Sequence, residues 1–190
     1  ILIEMNYFLN FLLAALMLIV FFIPGIVISL MIKLTSKGTI IYYSERIGKD
    51  KEVFMMPKFR SMRIDTPEVA TDKLGDAVAF ITPFGSFLRR TSLDELPQIY
   101  SVLRGDMSIV GPRPALHNQH ELIAKRAKLG IDQLRPGVTG WAQINGRDEI
   151  VLQNKLRFDQ EYLARQSLFF DLKIILLTVL AVVRSRGVSH

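Results

Sequence analysis

The chain of 190 residues has no cysteine, which excludes disulfides, thiolate metal centres and a cysteine nucleophile. Only three histidines are present, His117, His120 and His190, so a three-histidine zinc site has no support. Neither G-x-x-x-x-G-K-[ST] nor G-x-G-x-x-G occurs, so there is no P-loop and no Rossmann fingerprint. Charge is missing from one long stretch: Met5 to Ile32 holds no Asp, Glu, Lys or Arg, and Glu4 is the only charge before Lys33. Elsewhere the chain is rich in both charge and apolar residues. With 49% hydrophobic and 22% charged residues it is neither disordered nor a low-complexity filament. The net charge of +6 points to an anionic partner: phosphate ligands, anionic lipid or nucleic acid. The first residue is Ile1 rather than Met, so residues upstream of it are an open expectation.

As a straight helix, residues 5–32 would be about 42 Å long, against roughly 30 Å of hydrocarbon in a bilayer. A secretory signal is disfavoured: there is no basic leader, the run is too long, and no small-residue cleavage site follows. Pro24-Gly25 lies about two thirds of the way along. Proline removes a donor and crowds the preceding turn, so it predicts a kink or break. Two topologies follow: a kinked spanning helix, or a re-entrant hairpin with both ends on one face. The short halves, with Asn6, Asn10 and Ser29 able to meet freed backbone groups, lean toward the hairpin. Lys33, Lys37, Arg46, Lys49 and Lys51 follow at once. They mark the cytoplasmic side and suit anionic headgroups, or form a plain solvated face.

In the polar body, Gly38–Tyr43 and Val53–Met56 read as two strands around a turn at Gly48–Lys51. Residues 65–79 read as a polar loop or short helix. Helices are expected over 92–104, 115–129 and 150–165, the last with a Glu161–Arg165 pair, and Gly130 closes the second. Residues 134–147, rich in Gly and Pro, read as extended with turns. The apolar run 168–183 is short for a span. It reads as an interfacial helix on the membrane or as a buried core helix.

Three constellations carry candidate chemistry. In the first, Arg89-Arg90 precede Ser92, Asp94 and Glu95, and Ser92 with Glu95 fits a capping box. The carboxylates either complement a helix dipole or serve phosphate chemistry, as Mg²⁺ ligands or with Asp as a nucleophile toward phosphorus. In the second, Pro112 and Pro114 stiffen the backbone around Arg113, which suits phosphate binding as well as a rigid loop. In the third, Arg135 to Arg147, glycines permit close backbone approach, while Trp141, Gln143 and Asn145 could meet a base or sugar and Arg147 a phosphate. A Gly-rich β-loop with a core Trp is the alternative. Asp171 reads either as a helix cap or as a group reaching into a membrane-surface site.

The motifs Lys58-Phe59-Arg60-Ser61-Met62, Thr91-Ser92-Leu93-Asp94-Glu95-Leu96-Pro97-Gln98, Leu103-Arg104-Gly105-Asp106-Met107-Ser108, Val110-Gly111-Pro112-Arg113-Pro114 and Arg135-Pro136-Gly137-Val138-Thr139-Gly140-Trp141-Ala142-Gln143-Ile144-Asn145-Gly146-Arg147 occur in one order. In this the chain resembles the bacterial sugar transferases, monotopic polyprenyl-phosphate phosphoglycosyl transferases, and at this length it is similar to their small, minimal type. The resemblance implies a mostly α, α/β-class membrane-associated protein. A Pro-broken re-entrant helix would occupy residues 1–35. A compact cytosolic catalytic domain with short strands, interfacial amphipathic helices and a membrane-surface C-terminal helix would occupy 36–190. Some relatives carry Ser before the Pro, where this chain has Ile23.

The resemblance further implies transfer of a sugar 1-phosphate from a UDP-sugar to polyprenyl (undecaprenyl) phosphate, with UMP released and Mg²⁺ required. Asp94 would form a covalent phosphosugar intermediate and Glu95 would assist, the pair also holding the metal. Lys58, Arg60, Arg89, Arg90, Arg113, Arg147 and Asp171 are the implied phosphate and substrate ligands, with Trp141, Gln143 and Asn145 on the nucleotide or sugar. The implied location is the bacterial inner membrane, with the catalytic domain on the cytoplasmic face, no nucleic-acid partner, and an oligomer left open. The competing reading is a non-enzymatic, membrane-anchored basic module for anionic lipid or nucleic acid.

Overall fold

The uncharged segment folds as one long helix, α1, over Leu2–Thr35. The computed structural model describes residues 2–67, 77–146 and 151–183. Pro24, where the sequence predicts a kink or a break, lies inside α1, which continues through it. Pro24 withholds one donor from the ladder, a loss a helix tolerates where neighbouring groups re-satisfy the backbone. One turn on, Ser29 Oγ donates to the Gly25 carbonyl at 2.7 Å. By length and composition, Phe8–Thr35 is able to cross a membrane.

One side of α1 is packed and the other is bare. Ala14 is fully buried, and Leu13 and Met17 join it against Ile99, Val102 and Met107. Three and more turns later, Ile28 and Ile32 pack with Phe59 and Leu88. Asn10 Oδ1 accepts a hydrogen bond from the Ile109 N–H at 2.7 Å. On the bare side Ile19, Ile23 and Leu34 are largely exposed. Arg60 holds the exit of the helix. Its buried guanidinium donates to the Ser36 carbonyl at 3.1 Å, to Ser36 Oγ at 2.8 Å and to the Lys37 carbonyl.

The body is mostly helical with short strands. β1 (Ile41–Ile47) and β2 (Val53–Phe59) form an antiparallel hairpin running from Ile41 opposite Phe59 to Ile47 opposite Val53. The expected hairpin is there, but β1 starts three residues later than Gly38. α2 (Pro83–Thr91) is capped by Thr82, whose side chain accepts from the Gly85 N–H at 3.0 Å. Then come α3 (Gln98–Arg104), β3 (Ser108–Val110), β4 (Ala115–Leu116), α4 (His120–Lys128), β5 (Gly137–Thr139), α5 (Trp141–Ile144), α6 (Leu152–Arg165) and α7 (Leu168–Val183). β4 adds to the free side of β1, and β3 pairs with β5 in parallel.

Four expectations need correction. The helix over 92–104 is two pieces, a 3₁₀ turn at Leu93–Glu95 followed by α3. Pro97 has no N–H to return to Leu93, so Leu96 N–H takes the Leu93 carbonyl at 3.3 Å and the chain tightens. The Ser92–Glu95 capping box does not form: Ser92 is left-handed, φ 57°, and its side chain makes no cap bond. The second helix begins at His120 rather than residue 115, because Ala115 and Leu116 are drawn into the sheet by Ile47 and Arg46. The region 134–147 also holds a short helix, α5, between its turns. Of the expected 65–79 loop, residues 68–76 lie outside the described residues.

Leu88 anchors α2 against both α1 and β2 and is fully buried. Leu88→Ala should lower stability by about 2–5 kcal/mol, the usual range for a buried Leu truncation. Thermal unfolding in detergent checks this.

Candidate active site

β2 ends by sending alternate side chains to opposite faces. Phe59 enters the cluster around Leu88, so Lys58 faces the other way. There its Nζ donates to Glu95 Oε1 at 2.8 Å. Arg113 Nη1 reaches the same oxygen at 3.3 Å from the loop after β3. One carboxylate oxygen thus joins β2, the 3₁₀ turn and the Pro112-Arg113-Pro114 loop.

Asp94 stands beside this knot, only 7% exposed. Burial pushes its pKa up, the adjacent Glu95 adds to the rise, and Lys58, Arg89 and Arg113 pull against it; the result is about 6. Burial acts on Glu95 in the same direction, but Lys58 and Arg113 outweigh it and hold Glu95 down to about 2. Two neighbouring carboxyls are therefore driven apart. Glu95 is a fixed anion spent on two cations, while Asp94 titrates near neutrality. Such a split marks functional sites. The left-handed Ser92 that aims the turn is a strained backbone of the kind that clusters at such sites.

The other candidates divide. Arg89 acts on Asp94 through its charge, and its Nη1 lies 3.6 Å from Met62 Sδ. Arg90 is exposed. Arg60 is committed to the end of α1. Trp141 donates its indole N–H to Glu161 Oε2 at 2.9 Å and packs against Phe170. Gln143 donates to the Val138 carbonyl at 3.0 Å, and Asn145 to the Trp141 carbonyl at 2.8 Å. Asp171 accepts from the Tyr162 hydroxyl at 2.8 Å, tying α7 to α6, and burial raises its pKa. These bonds give Trp141, Gln143, Asn145 and Asp171 partners within the fold. Arg147 lies outside the described residues. The glycines of the third motif serve backbone contact: a Cβ on Gly137 or Gly140 would strike the backbone of Gly111.

Sequence reading missed one buried pair. Arg126 of α4 binds Asp159 of α6 through Nε and Nη2, at 3.0 and 2.7 Å. A signal existed: Asp159 falls on the apolar stripe of Leu152, Leu156 and Leu163.

Among the described residues no group of three or more His, Cys, Asp or Glu forms a closed metal site. Mg²⁺ does not need one, since it is commonly held by one or two carboxylates together with substrate phosphates and water. The hard oxygens of Asp94 and the second oxygen of Glu95 fit that kind of shared site.

The family model described as bacterial sugar transferase matches residues 3–185. The chain belongs to this family. It is 43% identical over 159 residues, 80% of its length, to a UDP-glucose:undecaprenyl-phosphate glucose-1-phosphate transferase of Xanthomonas campestris pv. campestris. It is 42% identical over 159 residues, again 80% of its length, to the protein of the same name from Escherichia coli (strain K12). It spans only 33% and 34% of those two relatives. With the exopolysaccharide production protein ExoY of Rhizobium meliloti (strain 1021) it shares 36% identity over 178 residues, 85% of this chain and 78% of that one.

The raised Asp94 carboxyl carries a stability signature. The folded state holds its proton more tightly than the unfolded chain, so stability is lost as pH rises from the ordinary value of 3.8 through about 6. Asp94→Asn should therefore be more stable than wild type at pH 7.5, by on the order of 2–3 kcal/mol. The difference should vanish below pH 4. Unfolding measured from pH 4 to 8 reads it directly.

Proposed function

We propose that this chain is a polyprenyl-phosphate phosphoglycosyl transferase. It moves a sugar 1-phosphate from a UDP-sugar to polyprenyl phosphate, undecaprenyl phosphate being the bacterial form, and releases UMP. The relatives' names support the two substrate classes. The observation that carries the mechanism is the unequal pair: Asp94 buried and titrating near neutrality beside a Glu95 pinned by Lys58 and Arg113.

In the first half-reaction an ionised Asp94 oxygen attacks the β-phosphorus of the donor. The bond from that phosphorus to the bridging oxygen breaks, and UMP leaves with the electron pair. In the second, a phosphate oxygen of the polyprenyl phosphate attacks the same phosphorus, the bond to Asp94 breaks, and the carboxylate is restored. Splitting the transfer lets a soluble and a lipid substrate use one site in turn. Arg113 and Arg89, whose charges act on Asp94, would hold the donor's diphosphate, and Lys58 keeps Glu95 ionised and in place. Asp94 and Glu95 are the residues that would hold Mg²⁺, whose chemistry there is neutralisation of phosphate charge.

The reaction belongs at the inner face of the bacterial cytoplasmic membrane, with α1 entering and leaving on one side. Two contacts support that topology. Near its start α1 is bonded through Asn10 to Ile109, and near its end Ile28 and Ile32 pack on Phe59 and Leu88 of the same polar body. A helix that crossed the bilayer would carry one of those ends to the far side. Single cysteines at residues 4 and 36 should both react with a water-soluble label from the cytoplasmic side only. Labelling of residue 4 from the opposite face would reject this one-sided topology.

With purified protein in detergent, UDP-sugars and polyprenyl phosphate, UMP should be the nucleotide product. Asp94→Asn should lose turnover by roughly three or more orders of magnitude while remaining folded. UDP as product, or an active Asp94→Asn, would defeat the mechanism; a purely lipid- or nucleic-acid-binding module would be indifferent to Asp94→Asn. For wild type, kcat/KM for the donor should fall on the acid side with an apparent pKa of about 6, because the nucleophile must be ionised.

A further inference from the structure

Three successive carbonyls, those of Pro112, Arg113 and Pro114, are each tied down. The Gly137 N–H donates to Pro112 at 3.0 Å, Arg126 Nη1 to Arg113 at 2.8 Å, and Arg46 Nη1 to Pro114 at 3.2 Å. The two prolines fix φ on either side, so the Arg113 backbone has little freedom left. The middle tie is the unusual one. Arg126 is 8% exposed and spends the rest of its guanidinium on Asp159, which is 1% exposed. A guanidinium bonded along two edges has one orientation. A buried ion pair of this kind is weak evidence for stability, since apolar residues of similar volume often serve as well. What an apolar pair would not supply is a donor for the Arg113 carbonyl.

We infer that Arg126 and Asp159 are positioning residues for Arg113. The route is continuous: the Asp159 carboxylate on α6 orients the Arg126 guanidinium on α4, Arg126 holds the Arg113 carbonyl, and the Arg113 side chain reaches Glu95 Oε1. Neither residue touches substrate in this scheme. They set the place of the guanidinium that does, and the inference rests on the proposed reading of Arg113 as a ligand of the donor's diphosphate.

The test is a double-mutant cycle on the full chain. One arm replaces the pair together, Arg126→Met with Asp159→Leu, which leaves no buried charge uncompensated. The other arm is Arg113→Ala. The paired replacement should keep a wild-type circular dichroism spectrum and a cooperative melt. It should lose roughly 10- to 100-fold in kcat/KM for the UDP-sugar, the scale of a small misplacement in an active site. That loss should sit mainly in donor KM, leave KM for polyprenyl phosphate in place, and disappear in the Arg113→Ala background. Full activity of a folded paired variant, or an equal loss in both backgrounds, would overturn the inference. If Arg113→Ala alone is fully active, the reading of Arg113 itself fails, a separate result. Should the paired variant not fold, Arg126→Lys keeps a cation on Asp159 while giving up the second edge, and the same cycle applies to it.

Discussion

The site depends on one carboxylate oxygen, Oε1 of Glu95, shared by Lys58 and Arg113. The three residues come from a strand, a 3₁₀ turn and a proline-bounded loop that the chain keeps far apart in sequence. Fixing them together assembles the site and also sets its charge. Three cations, Lys58, Arg89 and Arg113, act on two carboxylates, Asp94 and Glu95. A region so composed is short of negative charge, which is the deficit a diphosphate would fill. Glu95 is the more ionised of the pair because it makes the direct bonds. Asp94, left with charge at longer range, yields to the cost of its burial.

The backbone explains why the acids do not simply decorate a helix start. At a helix N-terminus both would be held in their ionised forms by the dipole. Pro97 prevents that arrangement by denying the ladder a donor, and Ser92 takes the left-handed conformation that lets α2 end and the chain reverse. The result is a one-turn 3₁₀ segment with no long dipole behind it. Burial and neighbouring cations then decide each pKa, and they decide them differently for two adjacent residues. The proposed role of Asp94 as nucleophile would benefit from this, since a carboxylate that is less stabilised as an anion is the more reactive one.

Much of this was legible from residues alone where the pattern is long and periodic. α6 and α7 start within two residues of their expected positions, and the hairpin was marked by the turn at Gly48–Lys51. The dyad was legible as a pair of acids beside two arginines, but its geometry was not. Nothing in the letter Ser announces a left-handed residue, and Ser-x-x-Glu reads as a cap wherever a helix is assumed to follow. The Gly-rich motif carried two readings for a different reason: glycine permits close approach to a ligand or to any backbone, and here Gly137 and Gly140 approach Gly111. Arg126 lay hidden in a run of basic residues that looks solvated. Only its partner, an acid on the apolar stripe of α6, betrayed it.

α7 leaves one side apolar and bare. Its inward side carries Phe170, Asp171, Ile174 and Thr178. Asp171 is bonded to Tyr162, and Thr178 Oγ1 lies 2.7 Å from Thr139 Oγ1. Its outward side shows Phe169, Leu172, Leu176, Val179 and Leu180, with Phe169 85% exposed. A helix facing water would carry polar residues on that outward side. α1 likewise turns its Asn10 side-chain oxygen to the Ile109 N–H while Ile19 and Ile23 stand bare on its other side. Apolar surface on this scale is stable only where something other than water covers it. α1 also packs along α2 and α3, on either side of the dyad turn, so whatever covers the bare side of α1 lies near that turn. The proposed transfer, from a soluble donor to a membrane-bound acceptor, would need its nucleophile beside such a covering.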